Sequence, residues 1–215
     1  MEINFPTSAP SAPTRVWDTY VPLIASKNVT HAYISDAIEE PSFYNELCFA
    51  LTTATSSETF HLHINTPGGM LDSAFMIIDS IKNSEAHVIG HLTGTVASAG
   101  TIIALACDDI VISNHLAWMS HNYSAIIGGK GHEMKARQEF TDKTLSSSFT
   151  EIHEGFFSTK EIQQLIDGKD FWLTSDEVAT RWARRTTPIS VPRIGNVIDE
   201  VVTSAIKRGR PRKAN

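Results

Sequence analysis

Short segments of alternating apolar and polar residues occur along the first half of the chain, separated by segments in which apolar residues recur at helical spacing. The alternation predicts strands over residues 31–35, 59–65, 86–92, 109–113 and 116–120. The helical spacing predicts helices over residues 41–51, 71–81 and 101–106. Strands that alternate with helices indicate right-handed βαβ crossovers and a mostly parallel sheet, and we expect the β-rich part to end near His121.

The second half of the chain has a helical pattern. Residues 133–155 are largely polar with few apolar positions, which predicts one long helix. Its apolar stripe is too thin to bury much surface against its own domain, so we expect this helix to contact a partner. Capping residues predict two shorter helices over 158–167 and 175–184, and a last helix is predicted over 194–207.

The length of 215 residues corresponds to about one domain. Three prolines predict that residues 1–14 form a mobile arm ahead of a domain that covers residues 15–185. A C-terminal extension over residues 186–206 and a basic tail over residues 207–215 complete the predicted organisation.

Composition restricts the class of protein. Hydrophobic residues make up 41% of the chain, which excludes a wholly disordered or fibrous protein. Cys48 and Cys107 lie in apolar sequence and are expected to be buried free thiols, which suits the reducing cytosol. The N-terminus lacks the pattern of a signal peptide, and the longest apolar run, over residues 95–107, is too short to span a bilayer. We therefore expect a cytoplasmic protein without membrane contact.

The net charge of −6 is unevenly distributed, because residues 207–213 hold five positive charges and no acid. The acidic remainder disfavours nucleic-acid binding by the body of the protein. Within the tail, Arg208, Gly209, Arg210 and Pro211 together resemble the AT-hook core that lies in the minor groove of A·T-rich DNA. Weak DNA contact by the tail is one hypothesis, and a solvated basic tail is the simpler one.

Two turns of small residues, each between a predicted strand and a predicted helix, carry the first candidate chemistry. Ser98 stands at the start of a helix, where the Ala99 amide is placed to donate to a developing oxyanion, although serine at such a position is more often a helix cap. In the other turn Pro67 adds stiffness, while Gly68 and Gly69 permit positive φ and leave their amides unobstructed. We expect both turns at the sheet edge where α/β proteins bind ligands, with a simple tight turn as the alternative for the second.

His121 and Asp170 supply two further candidate groups. His121 follows the last predicted strand, where a histidine can act as a general base. Asp170 precedes three large apolar residues, so we expect it close to the protein body, where it would orient a histidine. Asp167 and Asp176 are its rivals, and Asp176 is also explained as a first-turn helix acid.

The chain contains nine histidines, including His61 and His63 on one face of a strand, and His87 and His91 on the next strand. No HExxH motif and no cysteine-rich set accompany them. Metal binding by these histidines is conceivable, but without such a motif the sequence predicts neither a metal site nor a cofactor.

Four segments, in this order, resemble the ClpP peptidase family. They are Ile-Asn-Thr-Pro-Gly-Gly at 64–69, Gly-Thr-Val-Ala-Ser-Ala-Gly at 94–100, Trp-Met-Ser-His at 118–121 and Asp-Phe-Trp-Leu-Thr-Ser-Asp-Glu at 170–177. The resemblance covers about residues 15–185, and its first two motifs together are fairly specific. An α/β-hydrolase does not fit, because Val96 stands where the first glycine of its nucleophile elbow belongs and the triad order differs.

The resemblance implies an α/β fold of the ClpP/crotonase type, built from repeated ββα units with a long handle helix at about residues 129–157. It also implies a serine endopeptidase that forms a homo-oligomer of heptameric or stacked rings, encloses polypeptide substrates and works with an AAA+ unfoldase. Residue by residue, Ser98 matches the nucleophile of the family, His121 its general base and Asp170 its orienting acid. The resemblance also matches Gly69 and Ala99 to the residues whose amides form the oxyanion hole, and Gly68 to the glycine that shapes the turn.

Some positions depart from the family pattern. Phe171 stands where the family has an arginine used in ring–ring contacts, and Asn122 and Tyr123 replace Gln-Pro after the histidine. The N-terminal arm does not resemble the family's axial loop, and residues 186–215 have no clear counterpart. These departures weaken the expectation of double rings and of unfoldase docking, and they fit a divergent member of the kind that bacteriophages carry.

Three other functions use the same residues differently. A catalytically silent scaffold of the ClpP fold would keep only its assembly surfaces. A crotonase-type acyl-CoA enzyme also uses paired oxyanion amides, but would not depend on Ser98. A membrane-linked signal-peptide peptidase would need a Ser–Lys dyad, and no lysine stands in a matching motif.

Overall fold

The computed structural model describes residues 28–185, which form an α/β fold around one six-stranded sheet. This agrees with the fold class expected from the sequence. The predictions for the arm over 1–14, the extension with its helix over 194–207, and the basic tail lie outside the described residues.

Strands and helices alternate along the first half of the chain, as the hydrophobic pattern predicts. The strands are β1 Val29–Ile34, β2 Thr59–Thr66, β3 His87–Ala97, β4 Asp109–Ile112, β5 Ala117–Ser120 and β6 Phe171–Thr174. The helices are α1 Asn45–Thr53, α2 Leu71–Lys82, α3 Ala99–Ala106, α4 Gly131–His153, α5 Thr159–Ile166 and α6 Ser175–Arg184. A 3-10 turn, Pro41–Tyr44, precedes α1, so the helix predicted over 41–51 becomes regular only at Asn45.

The sheet has the strand order β1-β2-β3-β5-β6, and β4 also pairs with β3. One long strand accommodates both neighbours, because residues 89–92 of β3 pair with β4 and residues 95–97 pair with β5. Within the described residues, the pairs β1–β2, β2–β3, β3–β4 and β3–β5 are parallel, and the pair β5–β6 is antiparallel. The carboxyl ends of β2, β3 and β5 therefore lie at the same edge of the sheet.

The strand β6 corrects the expectation that the β-rich part ends near His121. In the β5–β6 register Ser120 is opposite Phe171. Phe171 and Leu173 are buried, whereas Trp172 and Thr174 are exposed. This is the alternation of a strand, but the segment lies between two helical segments, and its partner strand β5 is about fifty residues away in the sequence, so the local pattern did not single it out.

The two faces of the sheet differ. Successive right-handed crossovers place α1, α2 and α3 on one face. The strand residues that face these helices are buried in the core, among them Ile34, Leu62, Ile64, Val88 and Leu92. Alternate residues on the same strands point to the opposite face and are half-buried, among them His31, His61, His63 and His91.

The long helix α4 confirms the prediction made over 133–155. Its C-terminal half packs against the core through Leu145, Phe149 and Ile152. Its N-terminal half is largely exposed, and Phe140 has 72% of its surface accessible. The apolar stripe thus contacts its own domain at one end only, and we call the largely exposed residues 131–142 the projecting half of α4.

Two expectations about burial concern cysteines and membrane spans. Cys107 is a buried free thiol, as predicted, and burial raises its pKa to about 12. Cys48 is also free but only half-buried. In the described range, every helix is too short or too polar to cross a bilayer.

An ion pair connects α5 to α6, the helices on either side of β6. Glu161 lies at the third position of α5, where its carboxylate accepts hydrogen bonds from the amide and hydroxyl of Ser158. The two guanidinium nitrogens of Arg181 donate to the same carboxylate at 3.2 and 2.8 Å. The hydrogen bond from Arg181 is the main reason that the pKa of Glu161 falls to about 2.

Replacing this carboxylate is expected to destabilise the fold in a pH-dependent way. Glu161→Gln should lower the free energy of unfolding at pH 7 by about 1–2 kcal/mol, because a partly buried bidentate pair is lost. The folded pKa lies below the ordinary value of 4.5, so the stabilisation is present above that pH and disappears as the pH falls towards 2. Urea unfolding at pH 7, 4 and 3 measures both effects.

Glu133→Gln is the matched control. Glu133 occupies the same capping position in α4, but its ion pair with Lys130 is exposed, so the loss should stay below about 0.5 kcal/mol. Equal losses in the two variants, or a Glu161→Gln loss that is the same at every pH, would contradict the assignment.

Candidate active site

Three loops meet where β2, β3 and β5 end. The loop after β2 contains Gly68 and Gly69, β3 runs into α3 through Ser98, and β5 is followed directly by His121. Pairing of β3 with β5 places Ala97 opposite Met119, so the residues that follow these two positions leave the sheet side by side. The sequence expectation of a common sheet edge is thereby confirmed by the strand order.

Ser98 has a strained backbone and a hydroxyl that does not cap its helix. Its φ of 53° and ψ of −124° make it the one non-glycine residue with positive φ in the described range. The conformation is held by backbone hydrogen bonds, because the Ser98 amide donates to Met119 at 2.8 Å and the Thr101 amide donates to Ser98 at 2.9 Å. No hydrogen bond from α3 reaches its side chain. Ser98 therefore does not cap α3 with its side chain, which was the alternative role suggested by the sequence.

The imidazole of His121 contacts this hydroxyl. The distance between Nε2 of His121 and Oγ of Ser98 is 2.6 Å, a short hydrogen bond between two half-buried side chains. The residue after the histidine is fixed too, since Nδ2 of Asn122 donates to the carbonyl of Ile166 at 2.8 Å. A hydroxyl and an imidazole at this distance can exchange a proton directly.

Asp170 lies beside this pair but does not complete it. Extending the β5–β6 register by one residue places Asp170 opposite His121. The Asp170 side chain is exposed, and within residues 28–185 no hydrogen bond joins it to the imidazole. Asp170 thus lies next to His121 in the strand register, but its carboxylate does not contact the imidazole that we expected it to orient.

The rival acids have other structural roles. Asp167 ends α5 and accepts a hydrogen bond from Nε2 of Gln163 at 2.9 Å. Asp176 belongs to the first turn of α6, on the far side of β6. Asp170 is therefore the acid that the strand register brings to His121.

The glycine turn presses against the serine turn. A Cβ on Gly68 would lie 2.5 Å from Cβ of Ser98 and 2.9 Å from the carbonyl oxygen of Ala97, and the φ of Gly68 is 99°. Thr66 fixes the turn, because its hydroxyl donates to the carbonyl of Asp36 at 2.6 Å and accepts from the Gly68 amide at 3.0 Å. Sequence reasoning missed Thr66, whose only signal is its place beside the glycines.

Gly69 and Ala99 line the same pocket as the serine and the histidine. Ile38 forms an isolated β-bridge with Gly69, in which the Ile38 amide donates to the Gly68 carbonyl and the Met70 amide donates to the Ile38 carbonyl. The Gly69 amide takes no part in these two hydrogen bonds. Ala99 is the first residue of α3, where an amide has no acceptor within its helix. Both residues line the pocket that contains Ser98 and His121.

This pocket has a volume of about 180 Å³ and mixes reactive and apolar walls. The apolar side chains are those of Leu71, Ile102 and Phe149, and the last of these belongs to α4. A site of this size next to a hydroxyl can take one apolar side chain of a bound molecule.

Tyr123 connects the loop after His121 to α4, which sequence reasoning also missed. Its hydroxyl donates to Oδ1 of Asp142 and accepts from Nε2 of Gln138 at 2.6 Å. The hydrogen bond to Asp142 is the main reason that the pKa of Tyr123 is raised, and the hydrogen bonds from Tyr123 and Gln138 lower the pKa of Asp142. The departure from the family pattern at this position thus forms a link between the site and the helix.

Comparison with known proteins identifies the family of the chain. The sequence model of a family described as Clp protease matches residues 15–181. The chain belongs to the Clp protease family. It is 28% identical over 155 residues to ATP-dependent Clp protease proteolytic subunit 1 of Protochlamydia amoebophila, an overlap that covers 67% of this chain and 73% of the relative.

Other relatives have a similarly low sequence identity to this chain. Proteolytic subunit 1 of Chlamydia abortus is 27% identical over 71% of this chain and 78% of its own length. Proteolytic subunit 2 of Pseudomonas aeruginosa is 26% identical over 59% of this chain and 64% of its own. The protein is thus a divergent Clp-type peptidase domain, which supports a role in proteolysis.

One departure from the family has a structural explanation. Phe171, at the position of the family's arginine, is 8% exposed and packs against Phe157, with their ring centroids 5.0 Å apart. The Phe171 side chain belongs to the core of this chain, so it is not available for the contact between two oligomeric rings that the family's arginine makes. Trp172, with 67% of its surface exposed, is the outward residue of the strand.

The close approach of the two turns predicts a large effect of a single methyl group. Gly68→Ala should lower the free energy of unfolding by about 3 kcal/mol or more, because the methyl group meets backbone and Ser98 atoms in a strained conformation. Gly168→Ala is the matched control, since Gly168 has φ of 98° but open space around a Cβ. The control should lose only about 1 kcal/mol of backbone strain. Urea denaturation tests this, and similar losses in both variants would disprove the close contact.

Proposed function

We propose that this chain is a serine endopeptidase whose triad is Ser98, His121 and Asp170. The 2.6 Å contact between the imidazole Nε2 and the serine Oγ is the observation that carries the proposal. A serine that served only as a helix cap would donate or accept within α3, and Ser98 does neither through a side-chain cap. Membership of the Clp protease family supports the same chemistry.

In this mechanism His121 takes the hydroxyl proton as Ser98 Oγ attacks the carbonyl carbon of a peptide bond. The amides of Gly69 and Ala99 donate to the oxyanion of the tetrahedral intermediate, each worth about 3 kcal/mol in comparable sites. His121 then gives the proton to the leaving amine, and water hydrolyses the acyl-enzyme by the same steps in reverse. Asp170 acts on the other ring nitrogen, where it holds the tautomer and stabilises the imidazolium.

The substrate is a polypeptide with an apolar side chain before the scissile bond. Leu71, Ile102 and Phe149 provide an apolar wall next to the reactive hydroxyl. Among the described residues that line the pocket there is no lysine, arginine, aspartate or glutamate to pair with a charged residue of the substrate. Cleavage after apolar residues of moderate size follows from this lining.

The nucleophile assignment predicts the outcome of labelling with a fluorophosphonate probe. The wild-type chain should be modified on Ser98, because the probe reacts with a serine activated by a neighbouring base. Ser98→Ala and His121→Ala should abolish labelling, which is measured by intact-protein mass and by peptide mapping. Ser124→Ala is the matched control, since Ser124 lines the same pocket without contacting His121, and it should be labelled like the wild type.

The same experiment separates the alternatives. Asp170→Asn should slow labelling by a factor of about 10³ or more, whereas Asp167→Asn should leave it unchanged. The exposed Asp170 side chain is the observation that favours a catalytically silent scaffold, and a wild-type protein that resists labelling would support that reading. Labelling that persists in Ser98→Ala would refute the nucleophile assignment.

We also propose that the chain assembles into a homo-oligomeric ring that encloses the site. The support is the projecting half of α4, whose exposed Phe140 finds no cover within residues 28–185. Family membership is consistent with such rings and with an unfoldase partner. Stacking of two rings is less well supported, because Phe171 is buried.

Assembly is tested by the mass of the protein in solution. Sedimentation velocity should give a species several times the mass of one chain, because an enclosed chamber needs many copies. Phe140→Glu should reduce this mass, as a charge replaces an exposed apolar side chain of the projecting half of α4. A single-chain mass for the wild type at micromolar concentration would overturn the proposed enclosure.

A further inference from the structure

Four histidines lie together on the sheet face opposite α1, α2 and α3. His31 is on β1, His61 and His63 are on β2, and His91 is on β3. In the parallel register His31 is opposite His61, and His63 is opposite His91. All four side chains are half-buried, so they are accessible from solvent. We call these four residues the histidine patch.

The rings of the histidine patch contact one another diagonally across the strands. Nδ1 of His31 lies 3.0 Å from Nε2 of His63, and Nδ1 of His61 lies 2.7 Å from Nε2 of His91. The rings of His31 and His61 are stacked with centroids 4.6 Å apart, and those of His63 and His91 are stacked at the same distance. Each contact brings ring nitrogens of two different strands together.

These separations are close to those between two imidazole ligands of one metal ion. Bonds of about 2.0–2.1 Å from metal to nitrogen place two ligands about 2.9 Å apart at a right angle and about 3.3 Å apart in a tetrahedron. The His31–His63 separation of 3.0 Å matches the right angle. Right-angled nitrogen sites are typical of Cu²⁺ and Ni²⁺.

The environment of three of these imidazoles favours the neutral form, which is the form that binds a metal. Burial, together with repulsion from the neighbouring rings, lowers the pKa of His63 to about 4, and burial lowers the pKa of His61 and His91. In the contact between His31 and His63 one of the two nitrogens carries the bonding proton. When a metal replaces this hydrogen bond, that ring takes the tautomer with the proton on its other nitrogen, so that both facing nitrogens have a lone pair, and both rings rotate to direct these lone pairs at the ion.

We propose that the histidine patch binds one divalent transition-metal ion, Cu²⁺ or Ni²⁺, through Nδ1 of His31 and Nε2 of His63. As the side chains stand, no group of three histidine, cysteine or acidic residues within 28–185 converges on one point. The pair therefore holds the ion first, and water or a rotated ring of His61 or His91 fills the remaining positions. Spacing along the chain gave no such expectation, because the site depends on register across strands.

Isothermal titration of the full, untagged chain with NiCl₂ tests the proposal. The wild type should bind one Ni²⁺ per chain with a dissociation constant in the micromolar range, and His63→Gln should weaken binding at least tenfold. His132→Gln is the control, because its ring is on α4, next to Glu133 and highly exposed, and should bind like the wild type. Circular dichroism melts check that each variant is folded.

His31→Gln keeps the proposal testable if His63→Gln fails to fold, since His31 lies on the edge strand of the sheet. It should also lose at least tenfold in affinity, and Ni²⁺ should raise the melting temperature of the wild type but not of this variant. A wild type that binds no Ni²⁺ would overturn the proposal. Wild-type affinity for Ni²⁺ in both His63→Gln and His31→Gln would also overturn the proposal, because the ion would then bind to another histidine. Titration of His121→Ala would show whether that histidine is His121.

Discussion

A strained serine at the junction of β3 and α3 is the constraint on which the site depends. Its positive φ directs the hydroxyl away from the helix that it begins and towards the imidazole of His121. Such a conformation costs about 1–3 kcal/mol and persists only where surrounding contacts determine it. Here the backbone of β5 accepts a hydrogen bond from the Ser98 amide, and the glycine turn leaves no space for Ser98 to relax. The pairing of β3 with β5 thus fixes both members of the reactive pair.

The helix α4 links the site to the outer surface of the molecule. Its buried end supplies Phe149, which forms a wall of the pocket, and its middle holds Tyr123 through Asp142 and Gln138. Phe140, which lies between these two residues in the sequence, is exposed to solvent. In the proposed oligomer, a partner that packs on Phe140 would contact the same helix that shapes the pocket and positions the residues after His121. Assembly would then act on the reactive groups through one helix.

Sequence reasoning recovered what depends on local pattern and missed what depends on register. Alternation and helical spacing predict β1–β5 and the long α4, and small-residue turns predict the positions of Ser98 and Gly68. The strand β6 was missed, although β4 and β5 are equally short, because it lies in the helical half of the chain and pairs with β5 from about fifty residues away. The role of Thr66 and the proximity of His31 to His63 were missed for a similar reason. Both arise from contacts between segments about thirty residues apart, which no local pattern encodes.

The remaining step in the proposed triad concerns a side chain and not the backbone. Four residue pairs hold β6 against β5, and the next position in that register places Asp170 opposite His121. Residues directly opposite in an antiparallel pair have Cβ atoms about 5 Å apart, which is within reach of a carboxylate and a ring nitrogen. Rotation of one exposed side chain costs about 1 kcal/mol of conformational entropy, whereas moving the strand would break its hydrogen bonds. Because catalytic hydrogen bonds are often loose until a substrate binds, an ordered strand with an unengaged acid is a reasonable resting state for this chemistry.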